Sequence, residues 1–244
     1  MTRKKQKLSE IALASDLDVA MAAAMYNKLG RVHIPGALSA AAIKELQNAV
    51  ARDIPWKLHF NNGDVVYDLD PQQYAALSDA ERKTLDKAIH GQAAHKFQFL
   101  FENFPVSDMY DAGEYQDHYV MRIYEFLNSE KFLGLARTIT GVSEISLADA
   151  QLTRYQPGHF LTCHDDEVAG KNRVAAYVLG LSPDWQADWG GLLNFIDKDG
   201  HVSEGYVPRI NALNIFRVPQ KHAVGCVAPF APGARVSLSG WFRY

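Results

Sequence analysis

A mainly β fold with a helical N-terminal layer is predicted, and three observations predict it. From about residue 145 onward, short β-rich runs alternate with Gly and Pro punctuation: Ala148–Tyr155, Phe160–Cys163, Val174–Leu181, Leu192–Phe195, Asn211–Arg217, Ala223–Val227 and Arg235–Phe242. Before that point, the clearest patterns are capped helices with an apolar stripe. No linker, repeat or low-complexity segment separates the two textures. Residues 15–244 therefore read as one domain, helical over about 15–144 and β over about 145–244. Periodicity alone supports a sandwich or a barrel.

The elements follow in order. Residues 1–14 read as a disordered basic tail. Ala20–Leu29 is rich in Ala and Met and closed by Gly30, so it reads as a helix. Arg31–Ile34 is a short strand stopped by Pro35-Gly36. Ser39 caps a helix over Ala40–Ala51, where Ile43, Leu46 and Val50 form one stripe. Asp64–Tyr67 has strand character, and Ser78 with Glu81 forms a capping box. An aromatic-rich stretch follows, with Phe97, Phe99, Phe101 and Phe104, then Tyr110, Tyr115 and Tyr119, and it shows no clear period. Asn128 or Ser129 caps a helix over Glu130–Thr140, ended by Gly141.

Bulk properties narrow the function. A chain of 244 residues that is 48% hydrophobic can bury a sizeable core. The net charge of −3 and pI near 6.3 argue against a dominant nucleic-acid footprint. The one basic run, Arg3, Lys4, Lys5 and Lys7, reads as a solvated tail. No apolar stretch approaches a membrane span, and Asp16 and Asp18 break the segment after the basic run, so it fails as a secretory signal. Two cysteines, Cys163 and Cys226, do not make a disulfide framework. The expected setting is cytoplasmic.

One constellation carries chemistry. His164 and Asp166 stand two apart in Thr-Cys-His-Asp-Asp, His222 follows 58 positions later, and Arg235 opens Arg-Val-Ser-Leu-Ser-Gly-Trp-Phe. Two imidazoles and one carboxylate can hold a ferrous ion on one face and leave the other open. Strand alternation would put His164 and Asp166 on one face and turn Asp165 away from the ion. The same alternation puts Arg235 and Ser237 on one face, and a guanidinium can grip a carboxylate with two parallel hydrogen bonds. A zinc site from Cys163, His164, His222 and Cys226 is disfavoured, because Cys163 and His164 are adjacent on a strand and point to opposite faces. Both cysteines read as small core residues.

This pattern resembles the His-x-Asp…His…Arg-x-Ser arrangement of the iron(II)- and 2-oxoglutarate-dependent oxygenases, and Tyr155–Phe242 resembles their prolyl-hydroxylase-like branch. The resemblance implies a double-stranded β-helix, the jelly roll of cupins, with helices packed on one outer face. It implies His164, Asp166 and His222 as both iron ligands and catalytic centre. It also implies Arg235 and Ser237 as the clamp for the distal carboxylate of 2-oxoglutarate. Tyr155 resembles the tyrosine beside that co-substrate, with a core tyrosine as the other reading. Asp166 separates the chain from halogenating relatives, which carry a small residue there. Gly180 stands where prolyl hydroxylases often have a tyrosine, which should leave room in the pocket; Tyr177 should face the other side of the strand. Gly190-Gly191-Leu192 resembles the family's Gly-Gly turn close to the site. Trp185, Trp189 and Trp241 could rim the substrate or pack in the core.

The function implied is hydroxylation of an aliphatic C–H bond, using Fe(II), 2-oxoglutarate and O2, with ascorbate as an external reductant. A prolyl residue of a peptide or protein is the first expected substrate, and a free amino acid or other small metabolite the second. A non-catalytic cupin-like module binding a small acid is the reading from another class.

Overall fold

The computed structural model describes residues 10–244. The basic run at Arg3–Lys7 lies outside the described residues. Residues 12–14, expected to belong to a disordered tail, instead satisfy backbone groups against residues 37–39. Leu13 bridges Leu38, Ala14 N–H donates to Ala37 O at 3.0 Å, and Ser39 N–H donates to Ala12 O at 2.9 Å.

Helix boundaries fall where caps put them. Helix α1 (Val19–Leu29) starts at Asp18, whose carboxylate accepts from Met21 N–H at 2.8 Å, and stops at left-handed Gly30. Strand β1 (Arg31–Pro35) leads to helix α2 (Ala40–Val50), capped by Ser39 and buried along Ala42, Ile43, Leu46 and Val50. A hairpin follows, β2 (Lys57–Asn62) with β3 (Val65–Leu69). Helices α3 (Pro71–Ala76) and α4 (Asp79–Ala93) both carry capping boxes, Asp70 with Gln73 and Ser78 with Glu81. Strand β4 (Phe99–Phe104) precedes α5 (Val106–Asp111), α6 (Tyr119–Leu127) and α7 (Glu130–Thr140), the last capped by Ser129 and closed by Gly141. The remaining strands are β5 (Leu147–Ala148), β6 (Gln151–Tyr155), β7 (Phe160–His164), β8 (Arg173–Gly180) and β9 (Leu193–Ile196). They end with β10 (Val202–Tyr206), β11 (Ala212–Arg217), β12 (His222–Val224) and β13 (Arg235–Arg243).

These thirteen strands form one antiparallel sheet whose path runs β1–β11–β8–β13–β6–β4–β7–β12–β9–β10. The path folds over on itself. Phe195 of β9 and Phe216 of β11 stand far apart along it, yet their rings meet 5.2 Å apart, and Phe216 lies 4.6 Å from the His222 ring. The result is a jelly roll with two facing halves. Four of its strands come from the first 144 residues: β1 and β3 fall on the expected strands Arg31–Ile34 and Asp64–Tyr67, while β2 and β4 match no expected strand. Strand β1 pairs with β11, and β4 inserts between β6 and β7.

Helices α1, α2, α6 and α7 share one core with the sheet, and α4 packs separately through Ile89. Phe132 of α7 packs on Tyr177 and Phe242 at ring distances of 6.1 and 5.9 Å, inside a core that includes Leu46, Ile123, Ile139 and Leu152. Strand β4 divides its aromatics between two faces. Phe99 and Phe101 turn inward with Tyr155 and Trp185, while Leu100 joins Phe60, Ile89 and Phe160.

Candidate metal and co-substrate site

His164 is the last residue of β7 and His222 the first of β12, and the two are direct cross-strand partners. Opposite residues of an antiparallel pair present side chains on one face, so the imidazoles stand together, with ring centroids 4.1 Å apart. The carboxylate arrives differently from the expectation. Strand β7 has ended before Asp166, which takes a left-handed conformation with φ of 66°. That turn, not strand alternation, aims Asp166 at the histidines. Arg173 holds it by donating from Nη1 to the Asp166 carbonyl at 2.9 Å. Asp165 stays outside the group of three and accepts from Glu167 N–H at 3.1 Å.

The donor atoms suit a divalent ion. His164 Nδ1 lies 2.9 Å from Thr162 O and His222 Nδ1 lies 2.8 Å from Gln220 O. A carbonyl can only accept, so each Nδ1 carries the hydrogen and each Nε2 keeps its lone pair. Those Nε2 atoms lie 3.3 and 3.4 Å from the two Asp166 oxygens, and all three ligating atoms fall within 4.8 Å of one another. Burial, reinforced by neighbouring His164, pushes the His222 imidazole down to about 4, which leaves it neutral near pH 7. Burial pushes the Asp166 carboxyl up, but its contacts with the His164 and His222 rings outweigh it and hold it below the ordinary carboxylate range. Two Nε2 lone pairs beside a carboxyl whose titration is held low form a set ready to bind metal.

Arg235 is 4% exposed, opens β13, and is the direct partner of Tyr155 on β6. Its guanidinium carbon lies 4.8 Å over the Tyr155 ring, and its Nε has no hydrogen-bond partner among the described residues. Burial pushes the guanidinium down from its usual value and the Tyr155 phenol up to about 12, each group partly restraining the other. No carboxylate among the described residues forms an ion pair with Arg235. Ser237, also buried, pairs its hydroxyl with Thr153 at 2.9 Å. A buried cation with an orphaned N–H fits an incoming carboxylate. All six predicted residues, His164, Asp166, His222, Arg235, Ser237 and Tyr155, line one cavity of about 410 Å³.

Neighbouring positions divide. A Cβ at Gly180 would stand 2.0 Å from the Arg209 carbonyl oxygen. The expected room is absent because that backbone fills it. Gly180→Ala should therefore destabilise the fold by roughly 2 kcal/mol, read as a melting temperature lower by about 5 °C. The Tyr177 hydroxyl donates to Asp149 O at 2.7 Å. Gly191, in a left-handed conformation, lets the backbone pass Arg235: its Cβ would lie 3.2 Å from Arg235 Cδ. Trp185 belongs to the core, with Nε1 donating to Gly190 O at 2.9 Å. Of the three tryptophans only Trp241 reaches the cavity wall, beneath Arg173 at 3.6 Å. Both cysteines are exposed and free, not core residues, since Cys163 points outward beside inward His164. Arg173 carries no signal in the sequence: it opens a β-rich run, and nothing local marks its contact with Asp166.

Known proteins are similar to this chain in sequence and fold. The family model for the 2OG-Fe(II) oxygenase superfamily matches residues 150–243. Prolyl 3-hydroxylase OGFOD1 of Mus musculus is 26% identical over 233 residues, covering 88% of this chain and 41% of that protein. The chain thus spans about two fifths of the length of this curated relative. A Pseudomonas putida prolyl-4-hydroxylase superposes with a TM-score of 0.57 at 18% identity, covering 92% of this chain and 98% of the other. A Trichoplax adhaerens prolyl hydroxylase in complex with a hypoxia inducible factor peptide fragment gives 0.58 at 15% identity, covering 92% and 88%. These two likenesses show a shared fold. Residues 150–243 are thus similar to the 2OG-Fe(II) oxygenase superfamily, and the chain as a whole resembles prolyl hydroxylases.

Proposed function

We propose that this chain is an Fe(II)- and 2-oxoglutarate-dependent dioxygenase that hydroxylates a prolyl residue of a peptide or protein. One observation carries the co-substrate assignment: a buried arginine without a carboxylate partner among the described residues shares a cavity with a His-Asp-His donor set. The prolyl substrate is supported by the mouse relative's name. Free Cys163 and Cys226 fit a reducing, cytoplasmic setting, and no helix of the described residues is long and apolar enough to cross a membrane.

In this reading His164, Asp166 and His222 hold Fe(II) through two Nε2 atoms and a carboxylate oxygen. Iron held there supplies the family's chemistry, in which O2 and 2-oxoglutarate are converted to succinate and CO2 while a C–H bond gains a hydroxyl. Arg235 supplies a fixed charge for the distal carboxylate, and Ser237 supplies a hydroxyl beside it. Tyr155 backs the guanidinium and keeps water from it. Phe99 and Phe101 wall the same cavity, and a dry wall strengthens each polar contact inside. With His164, Asp166 and His222 taking one face of the ion, its other face would be left open to co-substrate and substrate.

The test works with an unidentified target. Purified protein with Fe(II), ascorbate and 2-oxoglutarate should form succinate. It should also add 16 Da to members of a synthetic proline-containing peptide pool, mapped to proline by fragmentation. No succinate under any condition would return the chain to the class of non-catalytic acid-binding modules. Succinate with modification of free amino acids alone would move the substrate to small metabolites.

A further inference from the structure

One row of side chains crosses five strands of the pocket wall. Arg235 and Tyr155 are direct partners between β13 and β6. Tyr155 stacks on Phe101 of β4 at 5.0 Å and 25°. Phe101 is the direct partner of His59 on β2, with rings 4.9 Å apart, and His59 is the direct partner of Asp68 on β3. Direct partners share a face, so the row runs continuously from the co-substrate arginine to the hairpin. His59 lines the same cavity as the metal-ligating triad.

His59 is the polar member at the far end of an aromatic wall. Its Nδ1 lies 2.6 Å from Asp68 Oδ1, and its ring stacks on Phe99 at 4.8 Å. The Asp68 side chain is 50% exposed, so the ion pair adds little stability. Its consequence is orientation. An ionised carboxylate only accepts, so the hydrogen sits on Nδ1, and in the neutral ring Nε2 is an acceptor. That nitrogen has no hydrogen-bond partner among the described residues. Lone polar groups on otherwise apolar pocket walls fix ligand orientation.

We infer that His59 is a substrate-contacting residue that accepts a backbone N–H from the peptide, with Asp68 as its positioning residue. The inference rests on the prolyl-peptide reading above. Arg235 and Ser237 take the co-substrate at one end of the row, which leaves the His59 end for the peptide. Proline has no N–H, so the donor is a residue flanking the target proline.

The experiment uses peptides that the wild-type protein hydroxylates. His59→Phe keeps the ring stacking and removes the acceptor, so KM for the peptide should rise about tenfold while KM for 2-oxoglutarate stays within about twofold. His59→Gln, which retains an acceptor oxygen, should recover part of the loss. Asp68→Asn should raise the peptide KM by a smaller factor in wild type and add nothing in the His59→Phe background, since a positioning residue acts only through its partner. Unchanged peptide KM in His59→Phe overturns the inference alone. A rise in both KM values together with a lower melting temperature also overturns it, because that pattern marks a packing role. If the wild-type protein hydroxylates no peptide, the prolyl-peptide reading and this inference fall together.

Discussion

Alanine at His164, Asp166 or His222 is expected to abolish 2-oxoglutarate turnover, by at least about a thousandfold, and to weaken Fe(II) binding by more than about a hundredfold. Losing an outer-shell partner of a metal ligand already lowers affinity by roughly 10–100-fold, so losing a ligand should exceed that. Melting temperature without metal separates this from a packing role. The three side chains are 17%, 8% and 5% exposed for His164, Asp166 and His222, so without an ion they bury polar groups at a cost. Removing one should leave the metal-free protein as stable as wild type, or more so, a pattern common at functional sites. Asp165→Ala is the control and should retain iron, because Asp165 lies outside the cluster and bonds Glu167 N–H. Iron lost from Asp165→Ala but kept by Asp166→Ala would overturn the ligand assignment. Unchanged succinate formation in all three alanine variants would overturn the metal site itself.

The site is more legible in the sequence than the path of the chain around it. His164, His222 and Arg235 sit at strand ends or starts, where a local motif and period-two alternation suffice to place them. Asp166 is identifiable from the motif, but a left-handed turn aims it and alternation does not. Helix ends are readable wherever a Ser cap stands before an apolar stripe, as at Ser39, Ser78 and Ser129. Helix α6 escapes such a reading because its cap is His118, a residue type with weak capping preference. Strand β4 escapes it because both of its faces are buried, which erases the alternation that marks a strand. Strand β10 does so for the opposite reason, having no buried residue at all. The contact of His59 with the pocket depends on the register of β2 against β4, and no spacing within the sequence encodes that pairing.

Arg235→Ala should raise KM for 2-oxoglutarate by roughly a hundredfold or more while leaving Fe(II) binding near wild type. The magnitude follows from truncating one partner of a buried, charge-assisted pair, which carries several kcal/mol of binding. Arg235→Lys should recover only part, because an ammonium supplies charge without the planar fork that meets both carboxylate oxygens. Stability gives an independent reading. A barrel-closing ion pair would make Arg235→Ala melt lower with KM little changed. The described residues place no carboxylate against Arg235, and its Nε has no partner among them. Its burial therefore stabilises nothing by itself, and the alanine variant without co-substrate should melt close to wild type. The wild-type protein, held anaerobically with Fe(II), should gain about 2.7 kcal/mol of stability at 2-oxoglutarate a hundredfold above its Kd. Arg235→Ala at the same concentration should gain almost none. A variant that keeps both its KM and its ligand-induced rise in melting temperature would remove 2-oxoglutarate from this end of the pocket. A lower melting temperature with unchanged KM would instead show that the guanidinium holds the barrel together through its contact with Tyr155.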